Sequence, residues 1–343
     1  MTSLFAFDRP DLDDTAIATI LSTHWGISGG LIALPGERSN NSLVTTAANE
    51  RFVLQIQSRN EVATAVELQT DAMMHLERVA PHLPVSRVIP TLDGESLAHA
   101  TIDGDVHLVR LVTYLPGETF DPAEALPNHA YLAIGALLGE IGAALATFDH
   151  RVPDHFMPWD IGNGLLVNPM LRVHISDESE RALGVVDRRL TSIAETIPKL
   201  RQQTIHNDGH AGNLLRADGD SPMVTGVIDF GDITRTAIAA DVAIAAESFA
   251  PDHAQPGEVT ALLAAGYHRH HPLTDADVSA LPELVLARLA LSVLLVEVQI
   301  RESPHLADRS KRALPFVIER LERWAALDPD EIAGQVRDEL GSA

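Results

Sequence analysis

Short alternating apolar runs dominate the chain up to about residue 115, and helical spacing takes over after it. Apolar positions at helical intervals over 15–24, behind the acids Asp11, Asp13 and Asp14, predict a first helix with a capped start. Residues 31–34, 42–47 and 51–57 read as strands, separated by polar breaks at 35–41 and 48–50. A helix follows over 61–79, with Val66, Met73 and Leu76 on or near its inner face, and Pro81 and Pro84 end it. Residues 85–90, 95–100 and 106–114 read as three more strands, with Asp93-Gly94 and Asp103-Gly104 as turns.

Pro116-Gly117 marks the hinge between an N-terminal lobe, 1–115, and a C-terminal lobe, 116–343. Beyond it, helices are predicted over 131–148, 178–203 with a break near Ile197-Pro198, 237–249, 256–268, 274–301 and from 306 onward. The segment 204–232 stands apart as short apolar runs between polar loops. The fold class is α+β: a small, mostly antiparallel sheet with one inserted helix, then a larger, mainly helical lobe.

Composition narrows the chemistry. The chain has 343 residues and no cysteine, which excludes disulfides, thiolate metal sites and cysteine nucleophiles and favours a cytoplasmic protein. The first residues lack the basic and apolar regions of a signal peptide. The apolar run 284–296 is interrupted by Arg288, so it reads as a buried helix rather than a membrane span. A net charge of −23 disfavours nucleic acid and anionic membranes as partners and would attract cationic small molecules, although it also serves solubility. Lys199 and Lys311 are the only lysines. A monomer or homodimer is expected.

The informative stretch is Ile205-His206-Asn207-Asp208-Gly209-His210-Ala211-Gly212-Asn213, followed by Ile228-Asp229-Phe230-Gly231-Asp232. Phosphoryl transfer at a kinase-type site needs one carboxylate to orient the attacking hydroxyl, then an amide and a second carboxylate to hold Mg²⁺ on the nucleotide phosphates. Asp208 fits the first role, and Asn213 and Asp229 supply hard oxygens for the metal. Asp229 stands between apolar neighbours, Ile228 and Phe230, which predicts a buried acid that must be paired or bind metal. His206 reads as a structural brace of the loop. His210 and Asp232 either touch substrate or are solvated loop residues. Asp241 is either a favourable acid in a first helical turn or a buried acid tying that helix to the loop. Gly36, Arg38, Ser39 and Asn40 lie between the first two strands, where a loop could cover the phosphates. Thr113, Tyr114 and Leu115 are expected to hydrogen-bond the base through their backbone. Asp160, Asp232 and Glu247 are expected near a cationic acceptor, together with His210.

These residues resemble the aminoglycoside phosphotransferase superfamily, whose catalytic loop reads His-x-Asp-x-x-x-x-Asn, as His206 to Asn213 does. The segments 31–41, 109–117, Trp159-Asp160 after Phe148-Asp149-His150, and 226–245 are most similar to its hydroxylysine-kinase-like branch. The resemblance implies a bilobal protein-kinase-like fold, ATP or GTP as donor, Mg²⁺, and a hydroxyl of a small molecule, often an amine, as acceptor. It also implies a lysine on the third strand, where this chain has Gln55 in Phe52-Val53-Leu54-Gln55-Ile56. The acidic partner of that lysine falls near Glu67 or Gln69, and with Gln69 the ion pair becomes a neutral amide pair. Arg38, Arg51 or Arg59 could then approach the phosphates, and introducing lysine at 55 should tighten nucleotide binding. Two readings follow: an active small-molecule kinase, or a pseudokinase that binds nucleotide or ligand without turnover.

Overall fold

Asp13 accepts the Ala16 N–H at 2.8 Å and so caps α1 (Asp14–Trp25), which Gly26 ends in the left-handed region at φ 65°. In the computed structural model, which describes residues 10–342 apart from 37, 151–156, 218–220 and 304–305, this helix precedes a sheet. The strands are β1 (Gly29–Leu34), β2 (Ser39–Thr46) and β3 (Arg51–Gln57), then, after α2 (Ala63–Val79), β4 (Ala98–Ile102) and β5 (Asp105–Thr113). All pair antiparallel in the order β1-β2-β3-β5-β4, which puts β3 at the centre.

Side chains alternate across a strand, so the two faces differ in chemistry. Leu54 and Ile56 of β3, with Val109 and Leu111 of β5, pack in one cluster with Ile17, Leu21 and Trp25 of α1. Gln55 and Arg110 lie directly opposite each other on the other face, where Arg110 reaches Thr70 of α2. The stretch 85–90 does not form the expected strand. Val85 and Val88 make only isolated bridges, the latter to Val112, and the Arg87 guanidinium folds back onto the carbonyls of Pro81 and Leu83. Pro84 and Pro90 bracket it without N–H groups for a ladder.

The chain divides between Pro116 and Gly117 into two units, with His150 joining the first. The second unit opens with β6 (Glu118–Thr119), α3 (Asn128–Leu145), α4 (Ile161–Leu171) and α5 (Asp177–Thr196). The strands β7 (Gln202–Ile205), β8 (Leu214–Arg216), β9 (Val224–Val227) and β10 (Thr234–Ala237) come next. The helices α6 (Ala239–Phe249), α7 (Pro256–His270), α8 (Asp275–Glu302), α9 (Ala307–Ala325) and α10 (Pro329–Ser342) complete it. Residues 202–203, expected to end a helix, instead begin β7, because a short 3-10 turn containing Pro198 stops α5. The helix expected from 306 onward is two helices, broken where Asp328 accepts the Asp330 N–H ahead of Pro329. Helix α4 was not expected. Its N-cap is Asp160, whose carboxylate accepts the Asn163 N–H at 3.0 Å.

Helices α3 and α7 cross closely. A Cβ on Gly135 would lie 2.0 Å from the Leu263 carbonyl, so no larger residue fits that crossing. Helix α8 is long and apolar enough to cross a membrane, but 78% of its apolar window is buried inside the protein, as in a core helix.

Candidate active site

The loop 206–213 follows β7, and the segment 228–233 follows β9. Antiparallel pairing of β8 with β9 sets Leu214 opposite Val227, and the Ile228 N–H donates to the Asn213 carbonyl at 2.9 Å. This contact brings the proposed metal ligands to one place. A second tie runs from the Asn207 side-chain amide to the Asp232 carbonyl at 3.2 Å. Asn207 and Asp229 both have left-handed backbone, at φ 63° and 62°, a conformation that Asn and Asp tolerate better than most residues.

Asp208 is partly buried and its carboxylate is held on both oxygens. Asn213 Nδ2 donates to Oδ2 at 2.6 Å, Arg288 Nη2 donates to Oδ1 at 3.4 Å, and His210 Nε2 lies 3.6 Å from Oδ2. Burial works against the charge on Asp208, but His210 and Arg288 outweigh it and hold the carboxyl below its usual range. It is therefore ionised at neutral pH, as an acceptor of a hydroxyl hydrogen bond must be. His210 is shifted the opposite way: burial disfavours its protonation, and the Asp208 carboxylate overcomes this and raises it.

Arg288 is the residue of this site that sequence reasoning missed. It projects from α8, is buried, and donates to the Trp159 carbonyl at 2.9 Å as well as to Asp208. Its sequence signal was a single cation within an apolar run, because a buried charge requires a partner.

Asn213 spends its N–H groups on Asp208, which leaves its amide oxygen as the donor suited to a cation. Asp229 departs from expectation: it is exposed, and its Oδ1 accepts the Gly231 N–H at 3.0 Å. The left-handed turn rotates it out from between Ile228 and Phe230, so the argument from burial fails there. The chemistry still fits Mg²⁺, which commonly takes one or two protein oxygens and completes its shell with phosphates and water.

His206 is fully buried, meets Phe230 edge to face with centroids 4.7 Å apart, and accepts the Asp208 N–H at 3.3 Å. Burial lowers its pKa against the pull of Asp208 and Asp229, so the ring is a neutral brace of the loop. Asp241, in the first turn of α6, accepts the Asn207 N–H at 2.9 Å and is fully buried. Burial pushes its pKa up from 3.8 to about 7, against the backbone N–H groups of Asn207 and His206. Between those values the folded protein holds a proton that the unfolded chain has released. This group's contribution to stability therefore falls as pH rises through that window and is flat outside it. Thermal denaturation of wild type and Asp241→Asn should show the wild-type Tm falling relative to the variant from about pH 4.5 to about 7. A constant difference would place the pH dependence elsewhere.

The acids expected around the acceptor are committed inside the protein. Asp160 caps α4 and is buried, which raises its pKa despite hydrogen bonds from Thr236 and Asn163. Glu247 is buried and paired with Arg320 at 3.2 Å. Asp232 is buried as well. Asp160 and Glu247 are therefore corrected to structural residues, and His210 is the member of that set left partly exposed beside Asp208.

In the first unit, Gly36 forms a tight approach between β1 and β2: a Cβ there would meet the Ser39 carbonyl at 2.5 Å. Ser39 donates to Asn41 Oδ1 at 2.8 Å, and Asn41 is paired in register with Gln55. Asn40 is corrected. It pairs with Ile56, on the α1 side of the sheet, and its amide donates to the Pro10 carbonyl, so it faces away from Gln55. The Thr113 and Tyr114 N–H groups are also taken, by the carbonyls of Arg87 and Arg51, which leaves the Leu115 amide and the carbonyls of 113–115 for a base.

Gln69, which would make a neutral amide pair with Gln55, is buried on α2. The Gln55 Oε1 accepts two N–H groups from Arg110, at 3.0 Å from Nε and 2.8 Å from Nη2, while Arg110 Nη1 donates to Thr70 at 3.1 Å. The cation beside position 55 comes from β5, not from the three expected arginines. Arg38 lies 3.9 Å from Glu61, Arg59 pairs with Asp105 at 2.6 Å, and Arg51 stacks 4.4 Å over the Tyr114 ring.

Comparison with known proteins bears on this geometry. Residues 30–276 match the profile of the phosphotransferase enzyme family, named APH. The chain belongs to that family. This phosphotransferase is 25% identical to the hydroxylysine kinase of Danio rerio over 343 residues, covering 94% of each protein. It is 22% identical to the hydroxylysine kinase of Xenopus laevis, covering 87% of this chain and 85% of that one. Among solved structures, an amicoumacin kinase in complex with AMP-PNP and Ca²⁺ superposes with a TM-score of 0.72 at 16% identity, covering 93% of this chain and 97% of that one. A microcompartment-associated aminopropanol kinase gives 0.65 at 20% identity, covering 94% and 99%. These structural matches establish the protein-kinase-like fold of the phosphotransferase.

Proposed function

We propose that this phosphotransferase moves the γ-phosphoryl group of ATP or GTP to a hydroxyl of a small, amine-bearing acceptor such as a hydroxylated amino acid or an aminoglycoside. The carrying observation is the Asp208 carboxylate, kept charged by Arg288 and His210 and oriented by Asn213. An ionised acid fixed in this way accepts the acceptor O–H, aligns the oxygen for in-line attack and receives its proton as the new O–P bond forms and the bond from the γ-phosphorus to the departing nucleoside diphosphate breaks. Asn213 and Asp229 would hold Mg²⁺, which neutralises phosphate charge when bound. His206 and Asp241 hold the loop in shape through the backbone of Asp208 and Asn207.

An amine-bearing acceptor is supported by the names of the relatives, which include hydroxylysine kinase and aminopropanol kinase and so place an amine beside the hydroxyl. The net charge of −23 favours the approach of such cations. Gln55 does not by itself argue for a chain that only binds, because Arg110 keeps a cation beside it. A coupled assay with ATP and with GTP against hydroxylysine, amino alcohols and aminoglycosides tests the reading. Turnover of at least one hydroxy-amine is expected, and turnover of none of them defeats it.

A further inference from the structure

Two side chains of α6 reach the backbone of the catalytic loop. Asp241 accepts the Asn207 N–H at 2.9 Å, and Ser248 Oγ accepts the Ala211 N–H at 3.0 Å, both in buried surroundings. Ser248 follows Asp241 by seven positions, so the two share a helix face, about 10 Å apart at about 1.5 Å of rise per residue. Their partners are four positions apart in the loop, and a chain of that length reaches about 13 Å at most, so little slack is left between them. Asp208 lies inside that stretch, and Asn213 follows two positions after it.

The Ala211 N–H opens the 3-10 turn Ala211–Asn213, whose first amides have no acceptor within the turn. Each is met. Ala211 donates to Ser248, Gly212 to His210 Nδ1 at 3.0 Å, and Asn213 to the His210 carbonyl at 2.9 Å. Of these three acceptors, Ser248 is the one outside the loop. Every residue of α6 is buried, and Arg320 of α9 donates to the carbonyls of Glu247 and Ser248 in its last turn. The Ser248 hydroxyl is therefore placed by the core and not by the loop it meets.

We propose that Ser248 is a positioning residue for metal binding: through the Ala211 N–H it fixes the turn that carries Asn213, and so sets where the Asn213 amide oxygen meets Mg²⁺. This rests on the phosphotransferase reading above. Without the hydroxyl, the buried Ala211 N–H loses its acceptor, and leaving such a group unmet is costly, so the turn shifts toward another partner. Asn213 moves with the turn, and its bond to Asp208 is disturbed. Asp241 still holds Asn207, so the change is confined to the far end of the loop.

Amide hydrogen exchange on the nucleotide-free protein reads the clamp, and Mn²⁺ binding to the protein–ATP complex reads its function. In wild type the Ala211 amide should be protected, and free exchange there overturns the proposal before any variant is made. Ser248→Ala should speed exchange at Ala211 and Asn213 on the order of 10-fold while α6 stays protected. It should also weaken Mn²⁺ binding roughly 10-fold and lower kcat by a similar factor, with metal-free ATP binding unchanged. Ser248→Thr keeps the hydroxyl and should hold Mn²⁺ within a few-fold of wild type. Ser248→Ala with wild-type Mn²⁺ affinity, even at a lower Tm, marks a purely structural role and overturns the proposal. So does a folded Ser248→Thr as weak as Ser248→Ala, and so does exchange that rises equally over the loop and α6. Wild type that binds no Mn²⁺–ATP at millimolar concentration instead defeats the phosphotransferase reading, and this proposal with it.

Discussion

Asp208→Asn is expected to lower kcat on any accepted substrate by roughly 10³-fold, with KM for nucleotide little changed. The variant keeps the shape of the side chain but loses the ionised oxygen that would accept the substrate hydroxyl. It also disturbs a charge set. Arg288 keeps the Trp159 carbonyl and loses its carboxylate partner, and Asn213 keeps the Asp208 backbone carbonyl. Breaking a buried pair by removing one member is costly, so some loss of Tm is expected as well. Measuring the folded fraction at the assay temperature separates the two effects, because a fully folded variant should still show the loss in kcat. If wild type and Asp208→Asn give the same background with ATP or GTP on every hydroxy-amine tried, the assignment of Asp208 fails.

The parts of this site legible in the sequence are those set by local chain geometry. His206, Asp208 and Asn213 sit in one loop, so their spacing along the chain is nearly their arrangement in space. The antiparallel sheet was legible for the same reason, from alternation within each strand. What the sequence hid depends on parity and on distant pairing. Asn40 and Asn41 differ by one position and face opposite sides of the sheet. Arg110 meets Gln55 only because β5 pairs with β3 in one register, 55 residues apart. Arg288 reaches Asp208 across 80 residues, and only its isolation in an apolar run marked it. Asp160 read as a substrate acid because a helix cap and a binding acid look alike until the helix behind it is known. Asp229 was misplaced because its flanking residues do not reveal a left-handed turn.

That turn makes Asp229→Asn a clean second test. Asparagine tolerates the left-handed φ of 62° as readily as aspartate does, and its amide oxygen can still accept the Gly231 N–H. The side chain is exposed, so no buried partner is orphaned and the Tm should stay at the wild-type value. What changes is one negative charge at the place where a divalent cation would meet the nucleotide. Removing an anionic ligand should weaken Mg²⁺ retention in the nucleotide complex and lower kcat by roughly 10²–10³-fold, about 3–4 kcal/mol. Titrating Mn²⁺ into the protein–nucleotide complex reads the first effect without turnover, and the variant should need a higher concentration to saturate. Raising Mg²⁺ in the assay should recover part of the rate, since the Asn213 oxygen and the phosphates remain. A variant with wild-type metal affinity and wild-type rate would remove Asp229 from the metal site and leave the Asp-Phe-Gly turn as a purely structural feature.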